Sequence, residues 1–217
     1  MDINITSEII KVIDIEMRGF SLLREHIDSS VKSAVEIIFS CRGKVILTGM
    51  GKSGLVAKKI ASTMSSVETP AIFLHPAEGM HGDLGIIAAK DVVIAIGKSG
   101  ESSELNGVLP SIKSVGAKII GIMGDGNSTL AKYSDVVIKI GDLEEACPLN
   151  MAPTTSSTVT MVLGDAMAVA LMKMRDFDLA DYALLHPGGQ IGKRLTMRVS
   201  DVMLKGSNNP VINITES

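Results

Sequence analysis

The sequence predicts an α/β fold, a three-layer αβα sandwich around a five-stranded parallel sheet, and three observations lead there. Five β-branched runs, KVILTG at 44–49, AIFLH at 71–75, DVVIAIG at 91–97, AKIIGIMG at 117–124 and DVVIKIG at 135–141, are continuously apolar. Strands buried on both faces read this way, whereas half-exposed strands alternate. Helical stretches at 53–66, 102–115 and 128–133 lie between the runs, so strand, glycine-rich turn and helix repeat as βαβ units. The composition agrees: 46% apolar, 21 glycines, no Trp and 3% aromatics, which leaves Ile, Val, Leu, Met and Ala to build the core.

The flanks are helical. From 7 to 41, Ile9, Ile10, Val12, Ile13, Ile15, Phe20, Leu22 and Leu23 recur at helical spacing, and Val31, Ala34 and Val35 continue it. One long or two shorter amphipathic helices are predicted. Beyond the fifth run, 154–174 reads as a helix crossing the domain on Val159, Val162, Leu163, Met167 and Leu171. Pro153 marks its start, with Thr and Ser residues able to cap it. The polar stretch 198–217 reads as a loose tail. The expected organisation is a helical segment, 1–40, packed on one domain, 41–197, followed by that tail. The chain's 217 residues suffice for one such core without staples.

Charge and cysteine usage exclude several partners. A net charge of -3 and a pI near 5.8 supply no positive field for a nucleic-acid backbone. Cys41 and Cys147 lie in different elements without CxxC spacing, which suits a reducing compartment, with the cytoplasm as the default. The first twenty residues mix acids and bases into their apolar positions, unlike a signal peptide. No run of the sequence approaches the roughly 18 consecutive apolar residues of a membrane span, so no membrane partner is expected.

Two glycine and serine turns carry the chemistry. The first run ends in Gly49, Met50, Gly51, Lys52, Ser53 and Gly54, opening a helix whose free N–H groups suit an anion. A Walker A loop needs glycine where Ile46 stands and is excluded. Gly49, Gly51 and Gly54 fit GxGxxG, but the second strand ends in His75-Pro76 rather than an acid for a ribose hydroxyl. The third run ends in Gly97, Lys98, Ser99, Gly100, Glu101, Ser102, Ser103 and Glu104, again opening a helix. Gly51, Ser53, Ser99, Gly100 and Ser102 are therefore candidate ligands of a monoester phosphate across one crevice. Any one of these serines alone reads equally well as a helix cap.

Five motifs, GMGKSG at 49–54, HPAEGMHGDLG at 75–85, GKSGESSE at 97–104, EEACPLNMAPTTSST at 144–158 and LLHPGGQIGKR at 184–194, resemble the arabinose 5-phosphate isomerases of the SIS (sugar isomerase) fold. The resemblance covers about 40–203 and implies a flavodoxin-like sheet, a homotetramer with sites at subunit boundaries, and no cofactor. It implies interconversion of D-ribulose 5-phosphate and D-arabinose 5-phosphate through an enediol, the entry to Kdo, an acidic sugar of lipopolysaccharide and some capsules. The family's catalytic set falls on Lys52, His81, Glu104, Glu145 and His186.

In that reading Lys52 offsets oxyanion charge or touches phosphate, and Glu104 and Glu145 are candidate bases for carbon, with Glu145 favoured. His81 and His186 open the furanose ring or shuttle hydroxyl protons, and His186 is expected to reach a neighbouring subunit. Bland readings exist for each: an acid such as Glu104 is favoured in a first helical turn whatever else it does, and Glu144 beside Glu145 resembles a surface acid pair. His75 and His81 have no convergent third ligand, so metal there would be adventitious. The stretch 198–212 is similar to the entry segment of a CBS pair found in longer relatives, which suggests a short form or a trimmed chain. Rival functions are isomerisation of sedoheptulose 7-phosphate and a non-catalytic sugar-phosphate sensor. A downstream Kdo-containing product is a further expected ligand, as a feedback inhibitor in the same crevice.

Overall fold

Burial explains why the five runs become strands. A computed structural model describes residues 3–188, 192 and 197–206. Val45–Gly49 (β1) and Val92–Ile96 (β3) are buried at every position, and Lys118–Met123 (β4) at all but its first. Strands so enclosed need a helical layer on each face. Ala71–Leu74 (β2) and Val136–Lys139 (β5) are less covered and form the edges. All pairs are parallel in the order β2-β1-β3-β4-β5, the flavodoxin-like arrangement.

Strand register sorts the core into two layers. Ile46 pairs with Val93 and Val93 with Ile119, and all three belong to one buried cluster. Leu105, Val108, Leu109 and Ile112, from helix α5 (Ser103–Val115), complete it with Leu130 of α6 (Thr129–Tyr133). The next residues along, Leu47, Ile94 and Ile120, are equally buried and point to the opposite face. Helix α3 (Gly51–Ser66) packs on β1 and β2, and α7 (Thr155–Met174) packs on α3. The N-terminal region is two helices, α1 (Ile5–Glu25) and α2 (Ser29–Phe39), both packed on α7. They part where His26 ends the first and the Asp28 carboxylate accepts the Ser30 N–H to start the second. A short helix α4 (Pro76–Met80) and a 3₁₀ turn (Asp83–Ile86) follow β2.

The chain divides into two compact units, Met1–Asp176 and Phe177–Ser217. The second holds α8 (Leu179–Leu185), opened by a reciprocal Asp178–Asp181 capping box, and a four-residue helix Val199–Val202 within the stretch read as a tail. Residues 207–217 of that expected tail lie outside the described residues.

Two expectations about α7 are corrected. By length and a mean hydropathy of 1.3 it does meet the test for a membrane span. Thr155, Ser156, Thr158 and Thr160 break the apolar run that sequence counting looks for, yet Thr158 and Thr160 return their hydroxyls to the carbonyls of Thr154 and Ser156. Half of the stretch is buried and it packs on α3 and α1, as the central helix of a core does. Nor do its own Thr and Ser side chains cap it: Thr154 makes no side-chain cap bond. The cap is the carboxylate of Glu145, which accepts the Thr154 and Ser156 N–H groups.

Candidate functional site

A cavity of about 630 Å³ opens at the carboxyl ends of the strands, lined by Ser53, Gly97, Lys98, Ser99, Ser102, Gly124, Asp125, Gly141 and Asp142. This is the crevice where the strand order reverses, between β1 and β3, extended toward β4 and β5. Its volume suits a small phosphorylated metabolite.

The glycines let two helices begin at this rim. A Cβ on Gly54 would meet the Gly49 carbonyl oxygen at 2.4 Å, so α3 starts directly against the end of β1. Close packing accounts for Gly49 and Gly54 of the GxGxxG spacing, and a φ of +55° for Gly51. Gly100 has φ +68°, and a Cβ there would strike Ser128 at the head of α6. Glu101 accepts the Thr129 N–H at 2.7 Å and locks the same loop to α6. Glycine at 100 and an acid at 101 thus hold the second turn in place, so its serines face the crevice from a fixed frame.

Ser53 lies in the first turn of α3, and Ser102 is the N-cap residue of α5 without using its hydroxyl as a cap. Neither hydroxyl has a hydrogen-bond partner among the described residues. Ser99 accepts the Glu101 N–H at 3.2 Å and keeps its own O–H free. Lys52 is exposed beside Ser53 but outside the lining of the cavity.

Glu104 sits half-buried in the first turn of α5. Its own backbone N–H and the Ser103 hydroxyl at 2.9 Å hold its carboxyl below the usual carboxylate range, with help from the His75 charge. His75 and His81 close the two ends of α4, which packs on α5. The His75 ring meets Phe73 edge-on and its Nδ1 is buried without a partner, while His81 is exposed. In the second unit, the His186 ring stacks on Tyr182 at 3.9 Å and its Nδ1 lies 2.9 Å from the Tyr182 carbonyl oxygen. Carbonyl and ring together orient that imidazole and assign the Nδ1 proton, leaving Nε2 for chemistry. Among the described residues no three His, Cys, Asp or Glu side chains converge on a metal-sized site.

Glu145 is the unexpected member. Only 1% of its side chain is exposed. Burial alone would raise its pKa, but Lys98 at 2.7 Å, the Ser156 hydroxyl and the Thr154 and Ser156 N–H groups outweigh it and bring it down to about 2. The Thr154 hydroxyl is a further neighbour at 3.2 Å. So held, the carboxylate is a permanent anion and a weak base. The carboxylate is enclosed by these partners, and Glu145 as a residue also borders a second cavity of about 540 Å³ beside α1 and the 144–150 loop. Lys98 links this buried carboxylate to the crevice, and sequence reasoning passed over it. A lysine in a Gly/Ser turn looks solvated, and its partner is 47 residues away.

Asp91 is a useful contrast. It too is buried and accepts from Lys44 Nζ at 2.7 Å, the Lys44 N–H and the Ala88 N–H. It lies at the amino ends of the strands, away from the crevice, where it ties β3 to the residue entering β1.

Sheet order, crevice and paired serine turns define a doubly wound α/β protein with a crevice built for an anion, and residues 38–170 match the SIS domain family, to which the chain belongs. More particularly, it is 46% identical over 203 residues to the arabinose 5-phosphate isomerase KdsD of Yersinia pestis, covering 94% of this chain and 62% of that protein. It is 44% identical to KdsD of Francisella tularensis subsp. tularensis (strain SCHU S4) over 223 residues, covering all of this chain and 68% of that one. A solved Escherichia coli CFT073 protein in complex with arabinose 5-phosphate superposes with a TM-score of 0.78 at 41% identity, over 85% of this chain and 100% of that one. The chain therefore spans a little under two thirds of the Yersinia relative's length.

Proposed function

We propose that this chain is an aldose-ketose isomerase that interconverts D-ribulose 5-phosphate and D-arabinose 5-phosphate through an enediol. One observation carries the reading: two helix N-termini and the free hydroxyls of Ser53, Ser99 and Ser102 converge on one crevice, a phosphate cradle that needs no metal. Likeness to the KdsD enzymes narrows the sugar to a pentose.

With the phosphate at the serine turns, Glu104 stands two residues beyond Ser102 and takes the proton from carbon. Its depressed pKa keeps it ionised at neutral pH, and its burial under bound sugar raises its proton affinity toward that of the substrate. Lys52 balances phosphate or oxyanion charge. His81 and His186 move protons between oxygens and open the ring, with His186 supplied to a neighbouring subunit's site.

Incubation with ribulose 5-phosphate and, separately, sedoheptulose 7-phosphate in deuterium oxide tests the reaction. Arabinose 5-phosphate carrying deuterium at C2 is expected from the pentose. Turnover of the heptose alone would replace the substrate, and no exchange with either sugar would make the chain a sensor.

A homo-oligomer, a tetramer by family likeness, fits the surface of α1. Ile5, Ile9, Ile13 and Met17 are exposed along one helix, an apolar stripe that a monomer has no use for. Replacing Ile9 and Ile13 together by Asp is expected to yield a smaller, folded species in sedimentation velocity. An unchanged mass would place the interface elsewhere. We assign the reaction to the cytoplasm and to the supply of Kdo, with a Kdo-containing product as a feedback ligand of the same crevice. Calorimetric titration showing no binding of such a product at millimolar concentration would remove that last assignment.

A further inference from the structure

The most deeply held group near the crevice is an ion pair that the sequence motifs do not single out. Glu145 has its Oε1 on Lys98 Nζ and the Ser156 hydroxyl, and its Oε2 on the Thr154 and Ser156 N–H groups and the Thr154 hydroxyl. Every lone-pair direction of the carboxylate is engaged, and its donors belong to the start of a 20-residue helix that cannot move without the core. A fixed anion of this kind is an anchor. What it anchors is a lysine whose side chain is 40% exposed and lines the crevice beside Ser53, Ser99 and Ser102.

An ammonium has three N–H donors, and among the described residues Glu145 is the one hydrogen-bond partner of the Lys98 side chain. Two donors are left for the crevice, on a cation backed by a buried carboxylate. Asp125 and Asp142 line the same crevice without bonding to Lys98. A preoriented cation facing the reacting carbons is what an enediolate requires, since negative charge moves onto the C1 or C2 oxygen as the proton leaves carbon.

We infer that Lys98 is a catalytic electrophile of this site, donating to the enediolate oxygen, and that Glu145 is the positioning residue that holds it there. This rests on the isomerase reading above. No redox step or co-reactant is involved: Lys98 donates a hydrogen bond throughout, and Glu104 takes a proton from one carbon, exchanges it with solvent and delivers a proton to the neighbouring carbon.

The test compares Lys98→Met with the unaltered full chain. Kinetics in both directions are combined with calorimetric affinities for two non-reacting probes, D-arabinitol 5-phosphate and 4-phospho-D-erythronohydroxamate. The alditol shares the phosphate and hydroxyls of the substrate, whereas the hydroxamate alone carries enediolate-like oxygens. Lys98→Met is expected to lower kcat by roughly 10²–10³, with KM changed by less than about 3-fold. It should lose affinity for the hydroxamate and keep that for the alditol, and Lys98→Arg should restore part of both losses. Glu145→Gln should show the same selective loss, and the double variant should be no worse than Lys98→Met alone, because the two residues act as a unit.

A raised KM with kcat intact would make Lys98 a phosphate ligand and overturn the inference. Equal loss of both probes would make it structural, with the same result. Where Met disturbs folding, Lys98→Gln, which still donates to Glu145 but carries no charge, is measured against the same expectations. An unaltered chain that neither isomerises nor exchanges deuterium overturns the isomerase reading itself, whereas an active chain indifferent to Lys98→Met overturns only the electrophile.

Discussion

Glu104→Gln is expected to lower kcat by roughly 10²–10⁴, the usual contribution of a positioned base, and to stop deuterium entering C2. The two acids of the family set are distinguished by what surrounds them. Glu145 has four hydrogen-bond donors and a cation on it and about 2 as its pKa, so withdrawing its oxygens from those partners would cost more than a base can recover. Glu104 has the Ser103 hydroxyl and its own N–H, no ion-pair partner among the described residues, and a half-exposed position in the first turn of α5, two residues beyond the crevice residue Ser102. The amide cannot accept a proton but fills the same space, so D-arabinitol 5-phosphate should bind Glu104→Gln as it binds the unaltered protein. Because the Glu104 carboxyl sits below the usual carboxylate range in the free protein, the acid limb of kcat/KM should fall below that range too. The check is proton NMR of the C2 position during incubation in deuterium oxide. Exchange at an undiminished rate in Glu104→Gln would place the base on another residue.

How far the sequence could be read depended on whether a residue's partners were close in the chain. All five strands were legible, because strands covered on both faces leave unbroken apolar runs such as DVVIAIG. The turns opening α3 and α5 were legible because glycine and serine at a strand end have few other uses. Helices α4 and α8 were missed: they have five and seven residues, too few for periodicity to show. One long N-terminal helix and two short ones share the same apolar spacing, and only the Asp28 cap separates them. The cap of α7 was misread for a physical reason. Thr154, Thr155 and Ser156 are the residue types that cap from within, and nothing local shows that a carboxylate nine residues earlier has taken the role. The same distance hides Lys98. Motif likeness marked Glu145 as important, but geometry shows it as a buried anchor whose cation, 47 residues away in sequence, is the group that reaches the crevice.

That anchor also predicts how stability depends on pH. Glu145 has a native pKa of about 2 against an ordinary 4.5. A carboxyl whose pKa is depressed on folding stabilises the native state fully above its unfolded pKa, and the contribution is lost as pH falls toward the folded value. The loss is therefore confined to the window between about pH 4.5 and about pH 2. Its size at neutral pH is about 3 kcal/mol. Glu145→Gln removes the charge while keeping one acceptor for the α7 N–H groups, so it should be less stable than the unaltered protein by an amount of that order at pH 7. The gap between the two should narrow steadily once the solution is acidified below the ordinary carboxylate range, because the unfolded chain then binds a proton at Glu145 that the folded chain does not. Asp91 and Asp135, also held below the usual range by lysine and backbone N–H donors, titrate in both proteins and cancel in the comparison. Urea unfolding followed by circular dichroism at a series of pH values measures the gap directly. A gap that stays constant down to the lowest pH at which the protein folds would mean that the Glu145 charge does not stabilise this fold, and that the start of α7 is held by packing on α1 and α3 instead.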